Sequence, residues 1–310
     1  MAKFLVTGGC GFIGSNIVER LVAEGEQVRV LDDLSTGKRD NIAPWADQVE
    51  LVHGDLRDRD AVTRAVDGVN VILHQAAMPS VQRSVENPLL SNEINVGGTV
   101  NLLDAAVKAG VQRVVYAASS SAYGDQPVEV KTEDLFPMPK SPYAVAKLTC
   151  EYYLKSFYEC YGLETVCLRY FNVFGPRQDP NSEYSAVIPL FITRCMRGES
   201  PIIHGDGTQS RDFTYVSNNV SANLLAARAD ASLVAGRVMN VACGKSYTLL
   251  ELLAEINNIL GTDVKPEFGP PRKGDVKHSL ADISEARRCL GYEVDVDFHE
   301  GLRRTVESYR

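Results

Sequence analysis

The chain has 310 residues, 45% of them hydrophobic and 23% charged, with a net charge of −8. That apolar content excludes a disordered chain, and an acidic balance without a basic stripe argues against nucleic acid as a partner. The seven cysteines are odd in number and scattered, with no C-x-x-C pair and no zinc spacing, so reduced thiols and no metal site are expected. The N-terminus M-A-K-F-L-V-T-G-G lacks a signal-peptide pattern and no stretch is apolar enough to span a membrane, so the reading is a cytoplasmic protein without a membrane partner.

In chain order, residues 3–7 read as a strand and 11–23 as a helix with Ile13, Ile17 and Leu21 on one face, stopped at Gly25. Strands follow at 27–31, 49–53 and 69–75, then a long helix over 87–109 ended by Gly110. A strand at 113–117, a helix over 142–161 and a strand at 165–171 complete the alternation. Strand runs of this kind, buried on both faces, imply an α/β fold with a doubly wound parallel (Rossmann) sheet. Beyond it, 185–197 and 220–229 read as helices and 237–241 as a strand. Thr248-x-x-Glu251 is a capping box opening a helix to Leu260. The expected division is a nucleotide-binding domain of 1–171 plus 212–243, and a smaller C-terminal substrate-binding lobe of 172–211 plus 244–310.

Thr7-Gly8-Gly9-Cys10-Gly11-Phe12-Ile13-Gly14 lies between a strand and a helix. Gly8 permits the sharp turn, Gly11 lets backbone approach a pyrophosphate, and Gly14 lets helix and strand pack closely. The helix N-terminus then offers unpaired N–H groups to phosphates. Asp32, closing the second strand, can accept from an adenosine ribose and would repel a 2′-phosphate, which favours NAD over NADP. Asp55 and Leu56, after the third strand, are placed for the adenine edge.

Tyr143 and Lys147 stand i, i+4 on one helix face. Ser119, Ser120 and Ser121 follow the strand at 113–117, at the end where doubly wound sheets place ligands. A neighbouring ammonium and a cationic nicotinamide would lower the tyrosine pKa from about 10, making Tyr143 a general base with a serine hydroxyl as bridge.

The motifs T-G-x-x-G-F-I-G, S-S-S-x-Y-G-D, S-P-Y-A-V-A-K and R-Y-F-N-V-F-G-P resemble the extended short-chain dehydrogenase/reductase superfamily, and within it the UDP-hexose 4-epimerases. The resemblance covers essentially the whole chain. It implies NAD held by Gly8, Gly11, Phe12, Ile13, Gly14, Asp32, Asp33, Ser35, Thr36, Gly37, Asp55 and Leu56. Gln75, Ala76, Ala77, Asn95, Phe171 and the pair Tyr143 and Lys147 join that set. Ser119 best matches the catalytic serine or threonine, with Ser120 and Ser121 able to share its role. Related 4,6-dehydratases and UDP-glucuronate decarboxylases carry acidic residues where this chain has Ser120 and Ser121, so dehydration and decarboxylation are disfavoured.

For a UDP-sugar substrate the resemblance implies Ser80 and Ser84 near the sugar, Asn172 near the phosphates, and Val187, Ile188, Ile203 and His204 about the uracil. Arg211 and Arg272 would clamp the diphosphate. Asp275 would take a ribose hydroxyl. Ser279 falls where many UDP-galactose 4-epimerases carry a tyrosine, and its small side chain leaves room for an N-acetyl group. The segment G-D-V-K-H-S-L-A-D-I resembles the UDP-N-acetylglucosamine 4-epimerase group. The implied reaction is C4 epimerisation of UDP-GlcNAc/UDP-GalNAc and of UDP-Glc/UDP-Gal, with UDP-glucuronate or another sugar nucleotide as the alternative substrate. The resemblance also implies a homodimer through the helices at 87–109 and 142–161.

Overall fold

The computed structural model of the chain describes residues 2–180, 186–270 and 277–310. Its centre is a seven-stranded sheet in the order Arg237–Val241, Glu164–Tyr170, Arg113–Ser119, Val71–His74, Lys3–Thr7, Gln27–Asp32, Val49–His53. Every pairing in it is parallel. The chain starts in the middle, at Lys3–Thr7, and runs first to one edge and then to the other. Between Lys3–Thr7 and Val71–His74 the strand order reverses, which opens a crevice at the carboxyl ends of the strands.

Alternating residues of each strand feed two separate cores. Phe4, Val6, Val28, Val30, Val115, Val166 and Leu168 pack on one face, with the helices Phe12–Ala23, Val216–Arg228 and Ser284–Leu290. Leu5, Leu31, Ile72, Val114, Tyr116 and Cys167 pack on the other, with Arg59–Val66, Gly98–Lys108 and Pro142–Tyr161. This is the pattern of a sheet covered on both sides, with side chains alternating at period two. A third core gathers Phe174, Phe213, Phe298, Ile192, Leu252 and Leu302, under the helices Val187–Met196, Leu249–Leu260 and Phe298–Ser308.

Two of the elements that differ from the sequence reading flank the large sheet. Arg59–Val66 is a helix that the reading passes over; the Asp58 side chain caps it by accepting from the N–H groups of Asp60 and Ala61. The helix expected over 87–109 is Pro88–Asn92 and Gly98–Lys108, joined by a π-helical turn at Glu93–Gly97. Inside that turn the Asn95 amide accepts from Met78 N at 2.8 Å and donates to Met78 O at 3.3 Å. A tertiary clasp therefore takes the place of regular winding, as π-turns near functional sites commonly do. Leu89, Val85, Val145, Tyr152 and Tyr153, on this helix, its neighbour Val81–Glu86 and Pro142–Tyr161, are exposed. Among the described residues no helix is long and apolar enough to cross a membrane.

His74 ends the central strand fully buried, between Thr7 Oγ1 at 2.6 Å and Thr99 Oγ1 at 3.0 Å. Burial, with the Lys147 charge adding to it, pushes its imidazole down to about 3. The unfolded chain would take up a proton near 6.5 that the folded chain refuses, so this stability is complete above that pH and is lost as pH falls toward the folded value. The loss between pH 7 and pH 4.5 is expected to be roughly 2–3 kcal/mol from this group. Urea denaturation of wild type and His74→Asn across that range checks it, the variant showing the smaller acid loss.

Candidate active site

The crevice is a cleft of about 1390 Å³. At one end the glycine loop turns at Gly8, whose φ is +66°. A Cβ on Gly14 would stand 2.1 Å from the Gly8 carbonyl oxygen, so only glycine allows this packing of helix against strand. The helix Phe12–Ala23 has no side chain capping its N-terminus. The N–H groups of Phe12, Ile13 and Gly14 are thus without intrahelical acceptors, and all three residues line the cleft. Asp32 is buried, with one carboxylate oxygen accepting from Cys10 N at 2.9 Å and the other from Leu34 N at 2.8 Å. Burial raises its pKa while these amide bonds oppose the rise. Asp33, Ser35, Thr36, Gly37, Asp55 and Leu56 line the same end. A capless helix N-terminus facing a cleft, with a buried carboxylate at its rim, fits a dinucleotide.

The opposite end holds Ser119, Ser120, Ser121, Tyr143 and Lys147. Ser141 caps the helix Pro142–Tyr161, accepting from Ala144 N, and Pro142 at the first helical position needs no acceptor for a backbone proton. Tyr143 follows in that first turn. Ser119 Oγ accepts from the Ser121 N–H at 3.2 Å and from the Ser121 hydroxyl at 2.9 Å, which leaves its own proton for the Tyr143 oxygen to which it hydrogen-bonds. Lys147 donates to the Ala117 carbonyl at 2.8 Å and lies 4.7 Å from the Tyr116 ring centroid and 6.0 Å from that of Tyr143.

The charges differ from the sequence expectation. Burial pushes the Lys147 ammonium down to about 8 and the Tyr143 phenol up to about 12, the Ser119 hydrogen bond working against the latter rise. The ammonium is spent on a carbonyl and two ring faces, so in the protein alone it does not bring the phenol down; that requires additional positive charge in the cleft.

Gln75, Ala76, Ala77, Ser80, Phe171, Asn172, Arg211 and Ser279 all line the cleft. An adjoining cavity of about 270 Å³ is lined by Val187, Ile188, His204 and, again, Asn172 and Arg211. Three expected residues stand behind the wall instead. Ser84 Oγ is buried and accepts from Tyr143 N at 3.0 Å, fixing the start of the tyrosine helix. Asn95 holds the backbone of Met78 from behind, and Ile203 is packed in the third core. Arg272 and Asp275 lie outside the described residues. Sequence reasoning passed over Arg83, Lys131, Lys140 and Tyr170, which also line the cleft. Tyr170 had a signal, since it ends a strand next to Phe171 and Asn172; the two lysines sit in the irregular stretch between Gly124 and Tyr143 and had none.

The pattern of the NAD dependent epimerase/dehydratase family matches residues 4–242. A UDP-glucose 4-epimerase of Mycolicibacterium smegmatis is 40% identical over 312 residues, 99% of this chain and 98% of that protein. The structure of a UDP-N-acetylglucosamine 4-epimerase from Methanobrevibacter ruminantium, in complex with UDP-N-acetylmuramic acid, superposes with a TM-score of 0.94 at 43% identity, covering 99% of this chain and 98% of the other. A Thermus thermophilus UDP-glucose 4-epimerase in complex with NAD superposes with a TM-score of 0.90 at 39% identity, covering 99% of both chains. Glycine loop, buried Asp32 carboxylate and serine–tyrosine–lysine cluster thus occur together in one cleft, and the chain belongs to the NAD dependent epimerase/dehydratase family.

Proposed function

We propose that this protein interconverts the C4 epimers of UDP-hexoses, with UDP-GlcNAc/UDP-GalNAc and UDP-Glc/UDP-Gal as substrates, through a 4-keto sugar. The observation that carries the reading is the Ser119–Tyr143–Lys147 cluster beside a sugar space without carboxylates. Among the described residues, the carboxylates lining the cleft are Asp32, Asp33 and Asp55, all at the ends of the strands Gln27–Asp32 and Val49–His53. Removal of water or carbon dioxide needs an acid or base next to Ser119, and Ser120 and Ser121 occupy those places.

NAD, held by the Gly8–Gly14 loop, Asp32 and the Gln75–Ala77 wall, supplies the reversible hydride acceptor and a positive ring charge. Tyr143 takes the proton of the sugar 4-hydroxyl, with Ser119 holding that hydroxyl and bridging the transfer. Lys147, bonded to the Ala117 carbonyl, holds the helix that carries Tyr143, and the charge favouring the phenolate would come from the nicotinamide ring. When the ketone has presented its other face, the Tyr143 phenol returns the proton and the product is the epimer. Arg211 and Asn172, shared by the cleft and the adjoining cavity, would hold the diphosphate, with the uracil against Val187, Ile188 and His204. Ser84 and Asn95 would act through Tyr143 and Met78, from behind the wall.

The proposed division is a nucleotide-binding domain of 1–171 plus 212–243 and a substrate lobe of 172–211 plus 244–310. It is supported by the separate aromatic core of the smaller part, though Ser284–Leu290 packs on the large sheet's side. A homodimer is supported by the exposed apolar residues Val85, Leu89, Val145 and Tyr152. Sedimentation equilibrium is expected to give twice the chain mass, and the mass of a single chain would reject the dimer.

The deciding experiment follows the anomeric proton signals of each UDP-sugar by NMR, with no added reductant. Wild type is expected to interconvert both pairs. Tyr143→Phe should lose at least about a hundredfold in rate while retaining NAD; a product lacking water or carbon dioxide, or undiminished turnover by the variant, rejects the reading. One observation favours UDP-glucuronate as a second substrate: Arg83 lines the cleft, where a cation could meet a carboxylate at C6. The same assay with that sugar tests it. Ser279→Tyr is expected to abolish turnover of the N-acetylated pair and spare UDP-glucose. Equal loss on both pairs would show that residue 279 does not limit the sugar's size.

A further inference from the structure

Asp212 is a buried, multiply hydrogen-bonded carboxylate that takes no part in the chemistry above. It is fully buried, at the junction of the large sheet and the smaller lobe. Its oxygens accept from the N–H groups of Cys243 at 2.9 Å, Gly244 at 3.0 Å and Ala281 at 3.3 Å. Its own N–H donates to the Ser279 carbonyl at 2.8 Å, and its carbonyl accepts from the Asn172 side chain at 3.1 Å. One residue thus joins four distant segments, those at 172, 212, 243–244 and 279–281.

Three residues tied by this junction have side chains on the cleft: Arg211 next to it in sequence, Asn172 bonded to its carbonyl, and Ser279 bonded to its N–H. Arg211 is also paired with Ser279 across two parallel strands. We propose that Asp212 is a positioning residue for the UDP-sugar: its carboxylate holds the diphosphate-binding Arg211 and Asn172 in register with the strand that presents Ser279 to the sugar. This rests on the UDP-sugar reading of those three residues.

A carboxylate can accept from several amides at once, whereas its amide or protonated form presents a hydrogen to one of those N–H groups and gives up an acceptor. Burial pushes the Asp212 carboxyl up to about 7, against the pull of the amides of Cys243, Ala281, Gly244 and Lys245. The titratable side chains that sense its charge are Cys243, Tyr247 and Tyr292, all held neutral by burial near pH 7. His278 is hydrogen-bonded to Ser210 on the neighbouring strand, and His204 lines the adjoining cavity. A variant at 212 separates their effect from that of the carboxylate.

The test compares NAD-loaded wild type and Asp212→Asn with UDP-glucose, whose diphosphate diester keeps its charge, between about pH 5.5 and 8.5. At pH 8 the variant is expected to show about a tenfold higher KM with kcat little changed and NAD retained. Wild-type KM should climb toward that value as pH falls through about 7, while the KM of the variant stays flat. An unchanged KM at pH 8, or the same acid rise in both proteins, overturns the proposal. Amide hydrogen exchange on wild type gives an independent reading, needed if the variant fails to fold or if UDP-glucose proves not to be a substrate. Corrected for intrinsic rates, exchange at Gly244 and Ala281 should quicken below about pH 7 while that at Leu5 and Val6 does not; constant protection at Gly244 and Ala281 overturns the clamp. Absence of UDP-glucose turnover with the exchange response intact would instead count against the substrate reading.

Discussion

The ammonium of Lys147 donates to the carbonyl of Ala117, and on that buried contact the geometry of the site depends. A cation in a protein interior persists only when paired or hydrogen-bonded, so the strand Arg113–Ser119 and the helix Pro142–Tyr161 are held at one distance. One helical turn further, Glu151 forms a two-pronged pair with Arg169 at 2.9 and 2.7 Å, both side chains buried. The Arg169 guanidinium lies 4.6 Å from the ring centroid of Tyr123, which belongs to the short turn carrying Ser120 and Ser121. Tyr143, Lys147 and Glu151 therefore share one helix face, the first meeting Ser119 and the other two locking the helix to neighbouring strands. Breaking a buried pair of this kind by removing one partner costs about 3–5 kcal/mol, far more than the pair gains over an apolar replacement. Its value here is in placement: it fixes where the phenol meets the serine.

The cleft is electrically divided along its length. The carboxylates among its described lining residues sit at the glycine-loop end, where Arg57 is paired with Asp55, while Arg83, Lys131, Lys140, Lys147 and Arg211 line the remainder. An acidic protein can in this way present a locally positive site to a doubly charged nucleotide diphosphate. The division also serves the chemistry. Tyr143 sits in surroundings that oppose its ionisation, so the phenolate becomes accessible only when further positive charge enters the cleft.

What the sequence reveals follows from how local each signal is. The sheet strands, the capping box at Thr248 and the helix Pro142–Tyr161 are written in period and punctuation, and the structure has them at or within a few residues of the expected bounds. Arg59–Val66 was legible too, since Ala61, Val62, Ala65 and Val66 form a buried stripe behind the Asp58 cap. The π-turn at Glu93–Gly97 was not, because the Asn95 amide that organises it bonds to Met78, 17 positions earlier. The glycine loop and the Ser–Tyr–Lys set could be read because each is a short motif with its own chemistry. The supporting roles of Ser84 and Asn95 could not, because a motif shows that a polar residue is present and not whether it faces the cleft or the back of its wall.

The stretch around Ser279 shows the same limit at its sharpest. The sequence reading places no strand there, but His278–Ala281 is a strand within a small four-stranded sheet. On one side it pairs with Ser210–Arg211, where Arg211 meets Ser279, and on the other with Val130–Lys131, where Lys131 meets Ala281. The partners come from positions about 70 and 150 residues earlier, one carrying Arg211 on the cleft and the other within the loop that follows the serine cluster. Side chains alternate along a strand, so a slip of one residue would turn Leu280 or His278 toward the cleft in place of the small hydroxyl. The room offered to the substrate at this point is consequently a property of register as much as of residue identity, and that register is held from both sides of the cleft at once.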